Sequence, residues 1–199
     1  MGVSGNIARS VSTVDLTTTA SNNSFSVSFW QFDLGNGAGG NFASSALGVL
    51  DGDTGRGISA HTPWSDGTLY FDHDGCCAVP GQRLTAPVGT TLLNRWSHIV
   101  LQVDNGTKEI WVDGVLVASQ ATGANAVPTF TGEVIVGAQY NVVNGFGGLI
   151  DEFAIWDVAL EPSEIQALAG GASTLSIIPE PSTGLLALLG GMMLARRRR

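Results

Sequence analysis

Two aromatic residues and an acidic residue lie within one short segment, His61-Thr62-Pro63-Trp64-Ser65-Asp66. Aromatic faces stack on sugar rings, so His61 and Trp64 predict a platform for a carbohydrate. Asp66, beside them, completes the candidate ligand-binding set. The alternative is a Trp64 that simply fills the hydrophobic core.

Two aspartates alternate with glycine in Asp51-Gly52-Asp53-Thr54-Gly55. Carboxylates in a glycine-rich loop can chelate calcium, so Asp51 and Asp53 are candidate metal ligands. The run lacks the remaining positions of an EF-hand loop, and an ordinary Asp/Gly turn is the favoured alternative. A structural Ca²⁺ ion is the one cofactor kept as an expectation.

The two cysteines of the chain, Cys76 and Cys77, are adjacent and follow Asp72-His73-Asp74 in one loop. Thiolate and imidazole suit zinc or copper, so a soft-metal site is one interpretation. The pair can also form a disulfide across one peptide bond or bond to another chain, and two buried thiols are a further alternative. A long-range disulfide framework is excluded, because the chain has no other cysteine.

The carboxylates of the chain do not have the spacing of a retaining glycosidase, which needs two carboxyl groups about 5 Å apart. Asp151 and Glu152 are adjacent, so in a strand they point to opposite faces. Glu109 and Asp113 share a face, but Asp113 lies in a turn. No Ser-His-Asp order or His/Cys zinc spacing stands out either. The sequence therefore predicts a protein that is not an enzyme.

Three apolar runs form a predicted antiparallel meander: Trp96–Val103, Glu109–Val112 and Val115–Ala118. Asp113-Gly114 separates the last two, and this pair favours a type I′ turn because both central residues need positive φ. In the first run one face is apolar and the other is mixed, as expected for a strand only partly covered on one side.

Short alternating runs elsewhere predict further strands, which makes the chain all-β before a single short helix at Glu161–Leu168. The predicted strands are Phe25–Phe32, Ala46–Leu50, Gly57–Ala60, Thr68–Phe71, Leu84–Leu92, Glu133–Gly137 and Leu149–Trp156. The predicted inter-sheet core contains Phe29, Trp30, Ile99, Leu101, Ile110, Val112, Ile135 and Phe153.

Charge excludes one class of partner. The 199 residues carry a net charge of −8, and four of the nine basic residues are the terminal Arg196–Arg199. The preceding 195 residues thus have five basic and 17 acidic side chains, a net charge of −12. A body this acidic is repelled by a phosphate backbone, so no nucleic-acid partner is expected.

Three segments together resemble the laminin-G-like, concanavalin-A-like domain: FSVSFWQF, RWSHIVLQVDNGTKEIWVDGVLVAS and GFGGLIDEFAIWDVALEPSEIQAL. The resemblance covers Phe25 to Leu168 and implies a jelly roll of two antiparallel sheets packed face to face. Members of this superfamily include lectins and glycoside hydrolases, so the fold leaves function open. In calcium-binding relatives an acidic residue near Asp151 helps to hold an ion; an acidic residue capping the sheet rim is the alternative.

The C-terminal end resembles the PEP-CTERM sorting signal of Gram-negative bacteria that have an exosortase. Its three parts are Pro179-Glu180-Pro181, the apolar stretch Gly184–Ala195, and Arg196, Arg197, Arg198 and Arg199. As a helix the apolar stretch spans about 18 Å, short of a hydrocarbon core of about 30 Å, which suits a transient anchor in the inner membrane. A plain C-terminal membrane anchor is the alternative.

Export requires an N-terminal signal, and Met1–Leu16 lacks the apolar core of a signal peptide. The family's opening strand is also not evident before Asn6, so either Ile7–Leu16 replaces it or the gene begins upstream. We expect the upstream start. In an exported protein Cys76 and Cys77 are expected to be oxidised.

Together these observations predict a jelly-roll domain over residues 1–172, followed by a linker and sorting segment over residues 173–199. The expected function is a non-enzymatic module at the cell surface or in exopolysaccharide that binds glycan or matrix. The expected partners are a glycan or exopolysaccharide, an exosortase-type processing enzyme and the membrane. Two alternatives stay open: a structural matrix protein without a discrete ligand, and a degenerate glycoside hydrolase.

Overall fold

The computed structural model describes residues 8–9, 14–15, 24–35, 45–49, 56–73, 75–122, 131–141 and 143–177. Within these ranges the chain forms strands, one α-helix and a turn of 3-10 helix at Thr174–Ser176. The strands and the helix are, in order, β1 (Ala8–Arg9), β2 (Val14–Asp15), β3 (Phe25–Asp33), β4 (Ser45–Val49), β5 (Ile58–His61), β6 (Thr68–His73), β7 (Arg83–Pro87), β8 (Trp96–Asp104), β9 (Thr107–Val112), β10 (Val115–Ala121), β11 (Thr131–Gly132), β12 (Val134–Val136), β13 (Gly148–Trp156) and α1 (Pro162–Ala169).

Two antiparallel sheets form the body of the protein. One has the strand order β1-β12-β4-β5-β6-β7, and the other has the order β10-β9-β8-β3-β13. The short strands β2 and β11 pair separately. The predicted all-β fold with two antiparallel sheets is therefore confirmed. The described parts of the predicted first-strand segment, β1 and β2, pair with β12 and β11 respectively.

The core lies between the inner faces of the two sheets. Side chains alternate along each strand, so Phe25, Val27 and Phe29 of β3 face inward beside Ile99 and Leu101 of β8. All five are fully buried. The opposing sheet contributes the remaining apolar layer, which contains Ala46, Leu47, Val49, Ile58, Ala60, Leu69, Phe71, Leu84, Ala86 and Val134.

The predicted core set is right for the meander and wrong for two residues. Trp30 is half-buried on the outer face, where its ring lies 5.2 Å from that of His98. Its neighbour Phe29 occupies the inner face, and consecutive strand residues cannot share a face. Ile135 is buried, but it pairs with Gly48 on the outer face of its sheet. Phe153 packs against the core from a half-buried position.

The meander has tighter turns than the sequence pattern suggested. Asp113 and Gly114 both have positive φ, 50° and 78°, as the predicted two-residue turn requires. Asn105 and Gly106 also have positive φ, so β8 and β9 are joined by a second two-residue turn. The Asn-Gly pair was the available signal for it.

Helix α1 covers the outer face of the second sheet. Its buried residues Ile165 and Leu168 pack with Val100 of β8 and with Trp156. Glu164 Oε2 accepts a hydrogen bond from the Glu161 backbone N–H at 2.7 Å, which caps the start of the helix. The chain continues to contact the domain as far as Ile177, whose carbonyl oxygen accepts a 2.9 Å hydrogen bond from Trp156 Nε1.

No helix among the described residues is both long enough and apolar enough to cross a bilayer. The predicted sorting segment, with Pro179, Glu180, Pro181 and Arg196–Arg199, lies outside the described residues.

Candidate functional site

A cleft of about 370 Å³ opens on the outer face of the β4–β7 sheet. Strand register explains its position: Ala60 and Phe71 pair on the inner face, so their neighbours His61 and Tyr70 pair on the outer face. The residues that line the cleft are Arg56, His61, Trp64, Asp66, Tyr70, Cys76, Arg83, Gln139 and Asn144. The structure thus brings His61, Trp64 and Asp66 together in one cavity.

Three rings form the aromatic part of the cleft. The His61 ring centroid lies 4.3 Å from that of Trp64 and 6.1 Å from that of Tyr70. The Trp64 backbone N–H donates to Thr68 O at 2.8 Å, and the Gly67 N–H donates to Trp64 O at 2.9 Å. This closed turn fixes Trp64 above the end of β5 and leaves its indole half-buried rather than in the core.

His61 is a neutral hydrogen-bonding group. Its Nδ1 atom lies 2.7 Å from the hydroxyl of Ser45, which orients the ring. Burial lowers the pKa of His61 to about 4, with Asp72 opposing the shift and the two nearby arginines adding to it. At neutral pH the cleft therefore presents an uncharged imidazole.

A buried ion-pair cluster forms the floor of the cleft. Asp72, whose side chain is fully buried, contacts Arg56 Nη1 at 2.7 Å and Arg83 Nε at 2.6 Å. Arg83 Nη2 donates to the second carboxylate oxygen at 2.7 Å, so this pair is bidentate. The guanidinium of Arg83 lies 4.6 Å from the Tyr70 ring centroid. Both arginines keep part of their side chains accessible, which leaves cationic donors at the cleft surface.

Asp66 and Tyr70 form the polar rim. The Tyr70 hydroxyl donates to Asp66 Oδ2 at 2.5 Å, and the Thr68 backbone N–H donates to Asp66 Oδ1 at 2.9 Å. The hydrogen bond from Tyr70 lowers the pKa of Asp66, and the same bond raises the pKa of Tyr70. Asp66 is therefore an ionised, exposed acceptor beside the aromatic rings.

Residues 137–141 and 143–146 supply the opposite wall, through Gln139 and Asn144. Asn144 Nδ2 donates to Gln139 Oε1 at 2.7 Å, so the two amides act as one polar surface. The backbone of Gln139 and Tyr140 crosses directly over Gly48, where any Cβ atom would collide with it. Sequence reasoning missed this wall and both arginines. The arginines are placed by contacts with Asp72 that depend on strand register, and the wall comes from a distant part of the chain. The mid-strand glycine at position 48 was the available signal for the wall.

The sulfur atoms of Cys76 and Cys77 are bonded to each other, and Cys76 lies at the edge of the cleft. Asp72 is occupied by its two arginines, and Asp74 lies outside the described residues. No group of three or more His, Cys, Asp or Glu residues in the described ranges is placed to hold a metal ion. Zinc or copper ligation by this loop therefore has no geometric support in that part of the chain.

Asp151, one of the predicted calcium ligands, is not among the described residues that line the cleft. Asp151 lies on β13 at an irregularity in the strand pairing, is exposed, and accepts a 2.8 Å hydrogen bond from the Glu152 backbone N–H. Asp51 and Asp53 lie outside the described residues.

The carboxylates considered for hydrolysis have other partners. Glu109 Oε2 accepts hydrogen bonds from Gln102 Nε2 and Trp111 Nε1, both at 2.8 Å. Asp113 Oδ2 lies 2.8 Å from Arg95 Nη2, and its Oδ1 accepts from the His98 backbone N–H. Each carboxylate is thus held by neighbours on its own sheet.

The fold is a two-sheet antiparallel jelly roll of the concanavalin A-like class. Residues 5–166 match the Laminin_G_3 family, described as the Concanavalin A-like lectin/glucanases superfamily, and the chain belongs to this family. No protein of curated function matches the sequence.

Solved structures share the fold at low sequence identity. A native heptameric SAP-like pentraxin from Limulus polyphemus aligns with a TM-score of 0.64 and 14% identity over 87% of this chain and 81% of the pentraxin. The binding domain of botulinum neurotoxin DC "in complex with SialylT" aligns with a TM-score of 0.61 and 17% identity over 86% of this chain. The same neurotoxin domain in complex with rat synaptotagmin II aligns at 0.57 and 16% identity over 78% of this chain. This chain spans only 42% and 37% of those two neurotoxin structures.

Proposed function

We propose that this protein is a non-enzymatic glycan-binding module and that the cleft around His61, Trp64 and Asp66 is its binding site. One observation carries the proposal: a half-buried tryptophan, a neutral histidine and an ionised carboxylate share a cavity with two arginines. These groups supply both the apolar face and the directional polar partners that a sugar ring needs.

Each side chain has a distinct role in the proposed complex. The indole of Trp64 stacks on the apolar face of a sugar ring, and Asp66 accepts hydrogen bonds from its hydroxyl groups. Arg56 and Arg83 donate to ring or hydroxyl oxygens, and their pairing with Asp72 holds them in place. Among the described residues of the cleft, two arginines stand against two aspartates in formal charge, and we propose that the cleft favours a neutral glycan.

A binding role fits this geometry better than hydrolysis. Asp72 is fully buried between two arginines, so among the described residues that line the cleft Asp66 is the exposed carboxylate. A single accessible carboxylate does not provide the acid and nucleophile pair of a glycosidase. Proteins whose structures resemble this one include a neurotoxin binding domain in complex with SialylT, which supports ligand binding on this fold in general.

The proposed setting is the cell surface or exopolysaccharide of a Gram-negative bacterium. The support is the order of the C-terminal segments: Pro179-Glu180-Pro181, an apolar stretch, and Arg196–Arg199. The arginines would stay on the cytoplasmic side, and an exosortase-type enzyme would cleave near the prolines to release the domain. Cell fractionation of an exosortase-containing host and its exosortase deletion strain tests this: membrane retention confined to the deletion strain is expected, and equal distribution in both strains contradicts it.

A glycan array probed with the full chain, with calcium and with a chelator, tests the binding function. Binding to a discrete set of glycans is expected. Binding to none, in either buffer, contradicts the proposal and favours a structural matrix protein without a discrete ligand. Loss of binding in chelator would support the proposed structural calcium ion, for which Asp51, Asp53 and Asp151 are the candidate ligands.

A further inference from the structure

A second cavity, of about 220 Å³, borders Trp64 as the first one does. Trp64 lines both cavities, so they are adjacent along the protein surface. The second cavity is lined by Asp33, Gly35, Pro63, Trp64, Ser65, Gly67, Gly89, Thr90 and Leu93. Its walls are mainly prolyl, indole, leucyl and glycyl surface, in contrast to the charged floor of the first cleft.

Asp33 is the one ionisable side chain among the described residues that line this cavity. The residue is only 2% exposed, although it lines the cavity. Its Oδ1 atom accepts a 2.8 Å hydrogen bond from the Gly35 N–H, which closes the turn after β3. Its Oδ2 atom has no hydrogen-bond partner in the described part of the chain. Burial raises the pKa of Asp33, with the Gly35 bond opposing the shift.

This second carboxylate oxygen is not among the side-chain atoms that are sealed from solvent without a partner, so it is open to the cavity and available to accept a hydrogen bond there. The turn at Gly35 needs only one oxygen atom, so it does not explain why the chain keeps a second one here. A ligand group that brings an N–H donor together with an apolar body would satisfy both the oxygen and the cavity wall.

We propose that this second cavity is a subsite for the acetamido group of an N-acetylated hexosamine, with Asp33 accepting the amide N–H and with Leu93 and Pro63 contacting the methyl group. The adjoining sugar ring then stacks on Trp64, and the glycan continues into the first cleft. This inference rests on the proposed glycan-binding function and adds the substrate class.

Two other donors fit the cavity less well. An ammonium group of a de-N-acetylated sugar would pair with Asp33, but it would leave the apolar wall without a contact and would be desolvated there. A plain hydroxyl group would donate to Asp33 but would leave most of the cavity unfilled. The acetamido group alone supplies both contacts.

Matched oligosaccharides that differ at one substituent test the subsite. The full chain is titrated calorimetrically with chitotetraose, its fully de-N-acetylated form and cellotetraose, and with N-acetylgalactosamine and galactose. At least about tenfold tighter binding of the acetylated member is expected in one series, which corresponds to about 1.4 kcal/mol. Equal binding within both series overturns the subsite, even where the protein still binds glycans.

Variants test whether a preference for the acetylated ligand depends on Asp33 and its cavity. In Asp33→Asn, either orientation of the amide places an NH₂ group against an N–H donor, so the preference for the acetylated ligand should disappear. Leu93→Phe, which enlarges a side chain that lines the cavity and leaves the Asp33 carboxylate in place, should have the same effect. Asp157→Asn, the same chemical change at an exposed position, is the control and should leave the preference intact.

The possible outcomes distinguish failure of the acetamido subsite from failure of the proposed glycan-binding function. Array binding confined to glycans without acetamido groups overturns this subsite and leaves the glycan-binding function standing. A preference for acetylated ligands that survives both Asp33→Asn and Leu93→Phe also overturns it. An array with no bound glycan overturns the proposed function and this inference together.

Discussion

Lys108 is the only lysine of the chain, and it lies in the inter-sheet core with 1% of its surface exposed. Its Nζ atom donates to Gln82 O at 2.6 Å and to Phe71 O at 3.1 Å, and lies 4.7 Å from the Phe71 ring centroid. These contacts join β9 of one sheet to the opposite sheet. Burial lowers the pKa of Lys108 to about 7.

The low pKa of Lys108 predicts the direction in which the free energy of unfolding changes with pH. Between pH 7 and 10.5 the unfolded chain keeps a proton on Lys108 that the folded chain loses, so stability should rise with pH by up to about 1.4 kcal/mol per unit. Urea unfolding at pH 7, 8 and 9 measures this slope. These pH values stay below the ordinary tyrosine pKa, so tyrosine titration contributes little.

Lys108→Met is the matched variant for that slope. Methionine keeps an apolar chain of similar reach but cannot titrate, so the free energy of unfolding should become flat over the same pH range. A variant with the wild-type slope would show that another group is responsible.

Leu101→Ala tests the inner face of β8. Leu101 is fully buried, and removing its isobutyl group should lower the free energy of unfolding by about 2–5 kcal/mol. Leu116→Ala, at an edge-strand position that is 42% exposed, should change it by less than about 0.5 kcal/mol. Equal effects in chemical denaturation would mean that the two faces are assigned incorrectly.

At the residue scale the sequence predicted what lies close together in the chain. His61, Trp64 and Asp66 share six positions, so their proximity followed from the segment itself. Asp72 and Arg83 could not be paired in advance, because their contact depends on the β6–β7 register. Trp30 was misplaced because an aromatic residue suits either face of a strand, and strand parity relative to Phe29 decides between them.

At the element scale the cleft depends on how closely residues 137–141 approach β4. The Gly137 N–H donates to Ala46 O at 2.8 Å, and the Phe146 N–H donates to Gly137 O at 2.7 Å. This brings the Gln139–Tyr140 backbone against Gly48, in the middle of β4. The absence of a side chain at Gly48 is therefore a condition for the wall of the cleft.

Gly48→Ala should displace that wall. The added methyl group meets backbone rather than a flexible side chain, so we expect a loss of about 1–3 kcal/mol in stability together with weaker glycan binding. Thermal unfolding and ligand titration measure the two effects. Gly170→Ala, at the end of α1 where φ is −80° and the nearest atom would be 3.3 Å away, is the control and should leave binding unchanged.

The presence of each strand was easier to predict from the sequence than its length or the extent to which its outer face is covered. Each predicted run contains a strand, and α1 begins within one residue of its predicted start. The run Leu84–Leu92 is shorter than predicted, because the strand ends at Pro87 and the chain then turns. The mixed outer face of β8 suggested partial cover, whereas α1 and Trp156 pack over Val100 completely.

At the scale of the whole molecule, the fold was predictable because alternating runs and two-residue turns are local signals that specify antiparallel sheets. The ligand site was predictable only in part, because a cleft on the outer face combines β5, β6, β7 and a distant loop. The net charge of −8 fits a partner without phosphate groups, and at the cleft Asp72 is paired with Arg56 and Arg83.

The central claim is that glycan binding occurs at the cleft around Trp64, and calorimetric titration of Trp64→Ala beside Trp96→Ala tests it most directly. The ligand is the glycan that gives the strongest array signal. Trp96 is 43% exposed on the other sheet, so it controls for the loss of an accessible tryptophan. We predict that Trp64→Ala weakens binding at least about tenfold, the effect of removing a central stacking residue, while Trp96→Ala binds as the wild type does. Wild-type affinity in a folded Trp64→Ala variant would contradict the assignment of the site.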